Sequence, residues 1–360
     1  MSYSSGKNVL ITGYDGYIGA VLVERLVARG HHVRGLDTCY FQHCSLPQSS
    51  GPTEVVTKDI RDVNLEDLAD IEAIVHLAAL SNDPMGELDA DLTLQINFEA
   101  SVRLAQVAKI AGVQRFLFSS SCSMYGSSTE AIANEDAPFN PLTAYALSKV
   151  KTEAALSQLA DSNFSPTFLR NATAYGMSPK LRFDLVLNNF VGWAMTTGEI
   201  AIMSDGAPWR PLAHVEDIAS AFIAVLEAPI ATIHNQAFNI GQNAENYQVR
   251  DIAEVVRRVV PESHVTYAAA ASPDARSYRV DFTKVQRALP AFQPFWTIER
   301  GAQQLYEALK GRGITHEDFQ GRGFVRLEQL KHLLSTGMID TELRWSSSAK
   351  PAEISQSAAS

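Results

Sequence analysis

The apolar run NVLITG (8–13) leads straight into the loop GYDGYIG (13–19), after which Ile18, Val21, Leu22 and Leu26 keep a helical spacing. A strand that turns on glycines directly into a helix admits few architectures, and it carries a ready-made anion site. Gly13 permits the tight turn, Gly16 lets backbone come close to a pyrophosphate, and Gly19 lets the helix pack closely on the sheet. Asp15, Tyr17 and Ile18 complete the loop, whose helix end offers free N–H groups and a positive dipole end. Glycines also collect in structural turns. Here the strand before and the helix after favour a dinucleotide loop.

The same rhythm continues along the chain. HVRGLD (32–37), EVVTKD (54–59), AIVHLAA (73–79), RFLFSSS (115–121) and PTFLRNATAYG (166–176) read as strands. They are nearly continuous in apolar character, as strands covered on both faces are. Helical patterns separate them, such as Leu104, Ala105, Val107 and Ala108. This alternation predicts right-handed crossovers and an α/β, Rossmann-type doubly wound parallel sheet. After Gly176 the rhythm breaks. Residues 177–211 read as irregular; a helix from Val215 to Glu227 and a strand, AFNIG (237–241), then return to the sheet. Residues 246–345 read as a mixed second region with helices near 248–259 and 283–288. The expected organisation is a dinucleotide domain over 5–176 and 212–242 and a smaller mixed substrate-binding region over 177–211 and 243–345. A low-complexity tail, SSSAKPAEISQSAAS (346–360), is expected to be disordered.

Composition narrows the partners. Of 360 residues 46% are hydrophobic, which suits buried cores and rules out a disordered or collagenous chain. Lys+Arg number 30 against Asp+Glu 40, a formal net charge of −10, which suits neither nucleic-acid phosphates nor an anionic membrane. One local basic pocket for a small anion remains compatible with that balance. Cys39, Cys44 and Cys122 form no paired framework, and no His/Cys cluster has zinc spacing, so no metal is expected. No apolar run reaches about 18 residues, and MSYSSGKNVL lacks a signal-peptide layout. A reduced, cytoplasmic setting is the expectation.

Asp37 ends the second strand, 18 residues past Gly19. A carboxylate there accepts hydrogen bonds from adenosine ribose hydroxyls and repels a 2′-phosphate, which favours NAD over NADP. An ordinary turn aspartate is the plainer alternative. Arg34 lies three residues earlier in the strand and is discounted as a phosphate clamp. Farther on, Tyr145 and Lys149 stand at i and i+4 of a segment that reads as a helix, and so share one face. A neighbouring ammonium favours phenolate over phenol and tunes Tyr145 toward general-base work. The pair follows the Ser119, Ser120 and Ser121 strand end by 24 residues. A hydroxyl there would hold a substrate oxygen, although these serines also suit plain capping.

In combination these motifs resemble the extended short-chain dehydrogenases/reductases that act on nucleotide sugars. GYDGYIG, Asp37, the pair Asp59 and Ile60, HLAA (76–79), SSSCSMYG (119–126), YALSK (145–149) and LRNATAYG (169–176) occur in that family's order, from about Val9 to Leu289. The resemblance implies that Asp59 and Ile60 bind adenine, that Leu77, Ala78 and Ala79 lie beside the cofactor, and that Asn97 supports that loop. It makes Ser121, four residues before Tyr125, the catalytic hydroxyl, and Tyr145 the base. Lys149 holds the nicotinamide ribose, with Ser119 beside it, and Asn171 approaches the nicotinamide. In the second region the resemblance gives Asn189, of the pair Asn188 and Asn189, a contact with the sugar diphosphate. Arg210, in SDGAPWRPLAHVEDIA (204–219), binds the same diphosphate, and Arg276, in DARSYRVD (274–281), reaches the nucleotide end. Two separated guanidiniums suit a diphosphate; each also suits a surface ion pair. A homodimer through helices matching 87–112 and 141–161 is implied as well.

The departures select the reaction. Family 4,6-dehydratases carry an acid next to the catalytic hydroxyl or two residues on; here Cys122 and Ser123 follow Ser121. Cys122 is either a weak acid or a small buried residue. Thr173 stands where the family often has a substrate-contacting Asn. In the loop of Ser81, Asn82, Asp83, Pro84 and Met85, Asp83 suits either a sugar hydroxyl or a proline turn. Ser81, Ser121, Cys122, Ser123 and Thr173 are therefore the further substrate-side candidates. The expected activity is an NAD-dependent nucleotide-sugar epimerase acting by transient oxidation at C4. A dehydratase, a 4-ketoreductase or dehydrogenase, and a non-catalytic NAD-binding sensor are the alternatives.

Overall fold

Seven strands build the main sheet: β1 (Asn8–Thr12), β2 (His32–Asp37), β3 (Glu54–Thr57), β4 (Ala73–His76), β5 (Arg115–Ser121), β6 (Ser165–Asn171) and β7 (Gln236–Ile240). Their order is β7-β6-β5-β4-β1-β2-β3, and every pair is parallel. The Rossmann-type doubly wound sheet expected from the alternation is therefore present. The computed structural model describes residues 6–44, 46, 51–81, 89–267, 276–347 and 349. The loop at 82–85 and, apart from 346, 347 and 349, the tail at 346–360 lie outside the described residues. Among the described residues no helix is long and apolar enough to cross a membrane.

Side-chain alternation explains the apolar strands. Val9 and Ile11 join a core with Leu22 and Leu26 of α1 (Tyr17–Ala28), whereas Leu10 joins a second core with Leu104 and Ala108 of α2 (Ala100–Ile110). Helix α3 (Ala144–Leu159) covers that second face, through Leu156. Thr143 caps it, accepting from the Ala146 N–H at 3.2 Å. The side that α3 buries includes Ser148, Lys149, Thr152 and Glu153, so this helix carries polar chemistry toward the sheet.

The second region departs from expectation in two places. The stretch 166–176 is not one strand: β6 stops at Asn171, and a separate strand, Thr173–Tyr175, pairs with Trp209–His214 in a three-stranded sheet. Residues 177–211 are not irregular either, since they hold α4 (Val186–Thr197) and a strand at Glu199–Ile202. Gly192 obscured the helix. A Cβ there would lie 2.4 Å from the Phe319 ring, so close packing puts a poor helix former mid-helix. Next, α5 (Val215–Glu227) packs on α1, while α6 (Val249–Val259) and α7 (Ile298–Leu309) join Tyr175, Phe190 and Leu212 in a separate core. The chain then forms α8 (His316–Gln320) and α9 (Arg326–Ser335) and packs back against Tyr40, Leu80 and Leu92.

Candidate active site

Strand order reverses at β1, between β2 and β4, which opens a crevice at the carboxyl ends of the strands. Each loop glycine has its own reason there. Gly13 has φ +76°, and a Cβ on it would lie 2.7 Å from the Ala78 nitrogen; one on Gly19 would lie 2.2 Å from the Gly13 oxygen. At Gly16 the only near neighbour would be the Gly13 oxygen at 3.1 Å, so this glycine leaves room rather than filling a contact. Helix α1 starts there with no side-chain cap and no acidic residue in its first turn. Its N–H groups remain for an anion.

Asp37 accepts from the Cys39 N–H at 2.9 Å and the Asp15 N–H at 3.2 Å. Burial, with Asp15 adding to it, pushes its carboxyl up to about 6. Asp59 caps the short turn Ile60–Asp62, accepting from the Arg61 N–H at 2.8 Å, and pairs with the Arg61 guanidinium at 2.7 Å. The Asn97 side chain clips the Leu80 backbone at both its N–H (2.8 Å) and its carbonyl (3.0 Å). Behind it, Ser101, His76 and Thr12 form a buried chain, in which burial pushes His76 down to about 3 and so keeps it neutral.

At the other end, Lys149 Nζ donates to the Ser119 carbonyl at 2.7 Å and stands 5.5 Å from the centre of the Tyr145 ring. Burial lowers its pKa to about 7, against a smaller upward pull from Glu153. Ser121 Oγ accepts from the Ser123 N–H at 3.1 Å, and Asn171 Nδ2 donates to Ser119 Oγ at 3.0 Å. Ser120 Oγ, Ser123 Oγ and Asn171 Oδ1 are buried with no partner among the described residues. Unpaired polar atoms around a cavity fit a polar ligand.

One cavity of about 440 Å³ joins both ends. Gly13, Gly16, Tyr17, Ile18 and Gly19 line it, followed by Asp37, Asp59, Ile60 and Leu77, Ala78, Ala79. Ser119, Ser121, Tyr145, Lys149 and Asn171 continue the wall, with Ser81, Ser123, Thr173, Arg210 and Arg276 beyond them. Four candidates do not line it. Asp15 pairs with Lys180 at 2.5 Å behind the loop, and Asn97 acts through Leu80. Cys122 points its thiol at the Arg170 carbonyl, 3.1 Å away, and burial pushes that thiol well up. Asn189 donates to the Phe183 carbonyl at 2.9 Å.

The wall also holds residues the sequence reading passed over. Arg182 grips Asp184 with two bonds of 2.8 Å and donates to Ser81 Oγ at 2.9 Å. Burial works to raise the Asp184 pKa, but Arg182 overcomes it and holds the carboxylate below its usual range. Arg326 and Leu330 enter from α9. Their signal was available, because Arg326, Gln329, Leu330 and Leu333 share one helix face, on which the two leucines mark a buried side.

Comparison with known proteins matches residues 9–241 to the NAD dependent epimerase/dehydratase family. UDP-glucose 4-epimerase of Mycolicibacterium smegmatis is 29% identical over 317 residues, covering 84% of this chain and 98% of that protein. TunA, an NAD dependent NDP-hexosamine 5,6-dehydratase involved in tunicamycin biosynthesis, superposes with a TM-score of 0.76 at 23% identity, over 85% of this chain and 98% of its own. MoeE5, solved with UDP-glucuronic acid and NAD, gives a TM-score of 0.73 at 26% identity, over 84% of this chain and 99% of its own.

Proposed function

Since the chain belongs to the NAD dependent epimerase/dehydratase family, with NAD as its cofactor, we propose that it is a nucleotide-sugar epimerase acting at the sugar C4. The observation that carries this reading is the meeting, in one cavity, of Ser121, Tyr145 and Lys149 with a catalytic side that, among the described residues, offers no protonated carboxyl. The carboxylates lining the cavity among the described residues are Asp37, Asp59 and Asp184. The first two stand at the adenosine end in this reading. Asp184 is held as an anion by Arg182, which also feels the charge of Tyr145. Elimination of water from a sugar needs an acid that carries a proton, so this arrangement favours epimerisation over dehydration.

NAD, when bound, supplies the acceptance and return of the hydrogen at the sugar carbon. The chain supplies the rest. The loop of Gly13, Gly16 and Gly19 with the free end of α1 takes the pyrophosphate, and Asp37 takes the adenosine ribose. Tyr145, as phenolate, removes the proton of the sugar hydroxyl and later gives it back, while Ser121 Oγ positions the oxygen. Lys149, as a cation, favours the phenolate. Arg210 and Arg276 hold the diphosphate by charge-assisted bonds, leaving the hexose free to present either face.

Turnover of nucleotide hexoses, followed by their anomeric protons, tests the base. Tyr145→Phe should lower the rate by about 10²- to 10⁴-fold and leave the NAD dissociation constant within about twofold of the native value. A variant that keeps most of its activity contradicts the assignment.

A further inference from the structure

The segment after α8, which the family match over 9–241 does not reach, doubles back onto the adenosine end of the cavity. Trp345 Nε1 donates to the Thr38 carbonyl at 2.7 Å, and the Tyr40 hydroxyl donates to the Leu343 carbonyl. Arg344 reaches Asp59 at 3.4 Å and also pairs with Asp62, while Arg61 Nη2 donates to the Glu342 carbonyl at 2.9 Å. These partners belong to the loop that follows Asp37 and to the turn at Asp59. Leu330, Leu333, Ile339 and Leu343 complete the attachment, packing with Tyr40, Leu80 and Leu92.

Held in this way, α9 puts Arg326 into the wall shared with Gly13, Gly16 and Tyr17. Arg326 is only 2% exposed, its guanidinium lies 4.7 Å over the Phe41 ring, and its Nη2 donates to the Lys180 carbonyl at 3.0 Å. Its Nη1 has no partner among the described residues. A buried guanidinium with an unpaired N–H is costly unless an anion meets it. Of the carboxylates whose charge reaches it, Asp184 is gripped by Arg182 and Asp15 pairs with Lys180 through Oδ1, while the Asp15 Oδ2 has no partner among the described residues.

We propose that residues 326–345 are a cap over the adenosine end of the NAD site and that Arg326 is a ligand of the dinucleotide pyrophosphate. This inference rests on the cofactor and not on the epimerase reading. The diphosphate of the sugar nucleotide is the other source of the same anion, and two titrations of the NAD-stripped, full-length protein separate them. With NAD, Arg326→Met should weaken binding about tenfold or more; with UDP, binding should stay within about twofold. Trp345→Ala leaves the cavity wall intact and should speed loss of NAD on dialysis by about fivefold or more, which keeps the cap testable should the buried Arg326 variant fail to fold. Unchanged NAD affinity in Arg326→Met, or a fall confined to UDP, removes the pyrophosphate ligand. Native retention of NAD in Trp345→Ala removes the cap. None of these readouts needs turnover, so their failure leaves the epimerase reading standing.

Discussion

Lys149 and Asp37 sit at opposite ends of the cavity, and burial moves each in the direction that favours its neutral form. The Tyr145 and Lys149 pair was legible because residues four apart share a helix face. What the spacing could not show was that α3 buries Lys149 beside Thr152 and Glu153, since burial depends on which face meets the sheet. Asp37 gives a pH prediction whose sign follows from its raised value. Ribose hydroxyls donate to the ionised carboxylate, so NAD favours the deprotonated protein. Affinity should fall as pH drops through about 6, by up to about tenfold per unit below it. Calorimetric titration from pH 7.5 to 5 reads this, and Asp37→Asn should flatten the slope. A native profile that is flat over that range contradicts the role given to Asp37.

At the junction of β1 and α1, two glycines of one motif serve different ends. A side chain on Gly19 meets backbone at 2.2 Å, whereas one on Gly16 meets only the Gly13 oxygen at 3.1 Å. Gly19→Ala should therefore cost stability, about 1–3 kcal/mol as overpacking does, seen in thermal or urea unfolding. Gly16→Ala should leave unfolding close to native and weaken NAD, because its Cβ intrudes where the pyrophosphate approaches. The reverse pattern would mean that the two glycines have been given each other's roles. The seven strands were readable because helices on both faces demand continuous apolar runs. The break at Ala172 was not, since the residues on either side are equally compatible with strand and only the neighbouring sheets decide where the chain crosses over. Helix α4 was hidden by Gly192, whose reason is Phe319, a residue 127 positions away.

Over the whole molecule, three packings meet at one cavity. The sheet cores hold the strand ends, the core around Tyr175 and Leu212 carries the second region, and the apolar cluster around Tyr40 and Leu330 ties the far end of the chain to the loop after Asp37. Tyr17 links the first two: its hydroxyl donates to the Gly176 carbonyl at 2.6 Å and accepts from Asn188 Nδ2 at 3.2 Å. Motifs local in sequence revealed the wall from Gly13 to Asn171. Arg182 and Asp184 pair two residues apart, but nothing local shows that the pair faces the cavity, and Arg326 is placed there by partners far away in the chain, the Lys180 carbonyl and the Phe41 ring. The central claim, that the hydrogen leaves and returns to one sugar carbon without exchange, is tested most directly by proton NMR of a panel of nucleotide hexoses turned over with NAD in D₂O. A new anomeric signal from the epimer is expected, with no deuterium on the sugar carbons and no lasting NADH. Deuterium appearing at C5 or C6, or accumulation of NADH, would contradict it.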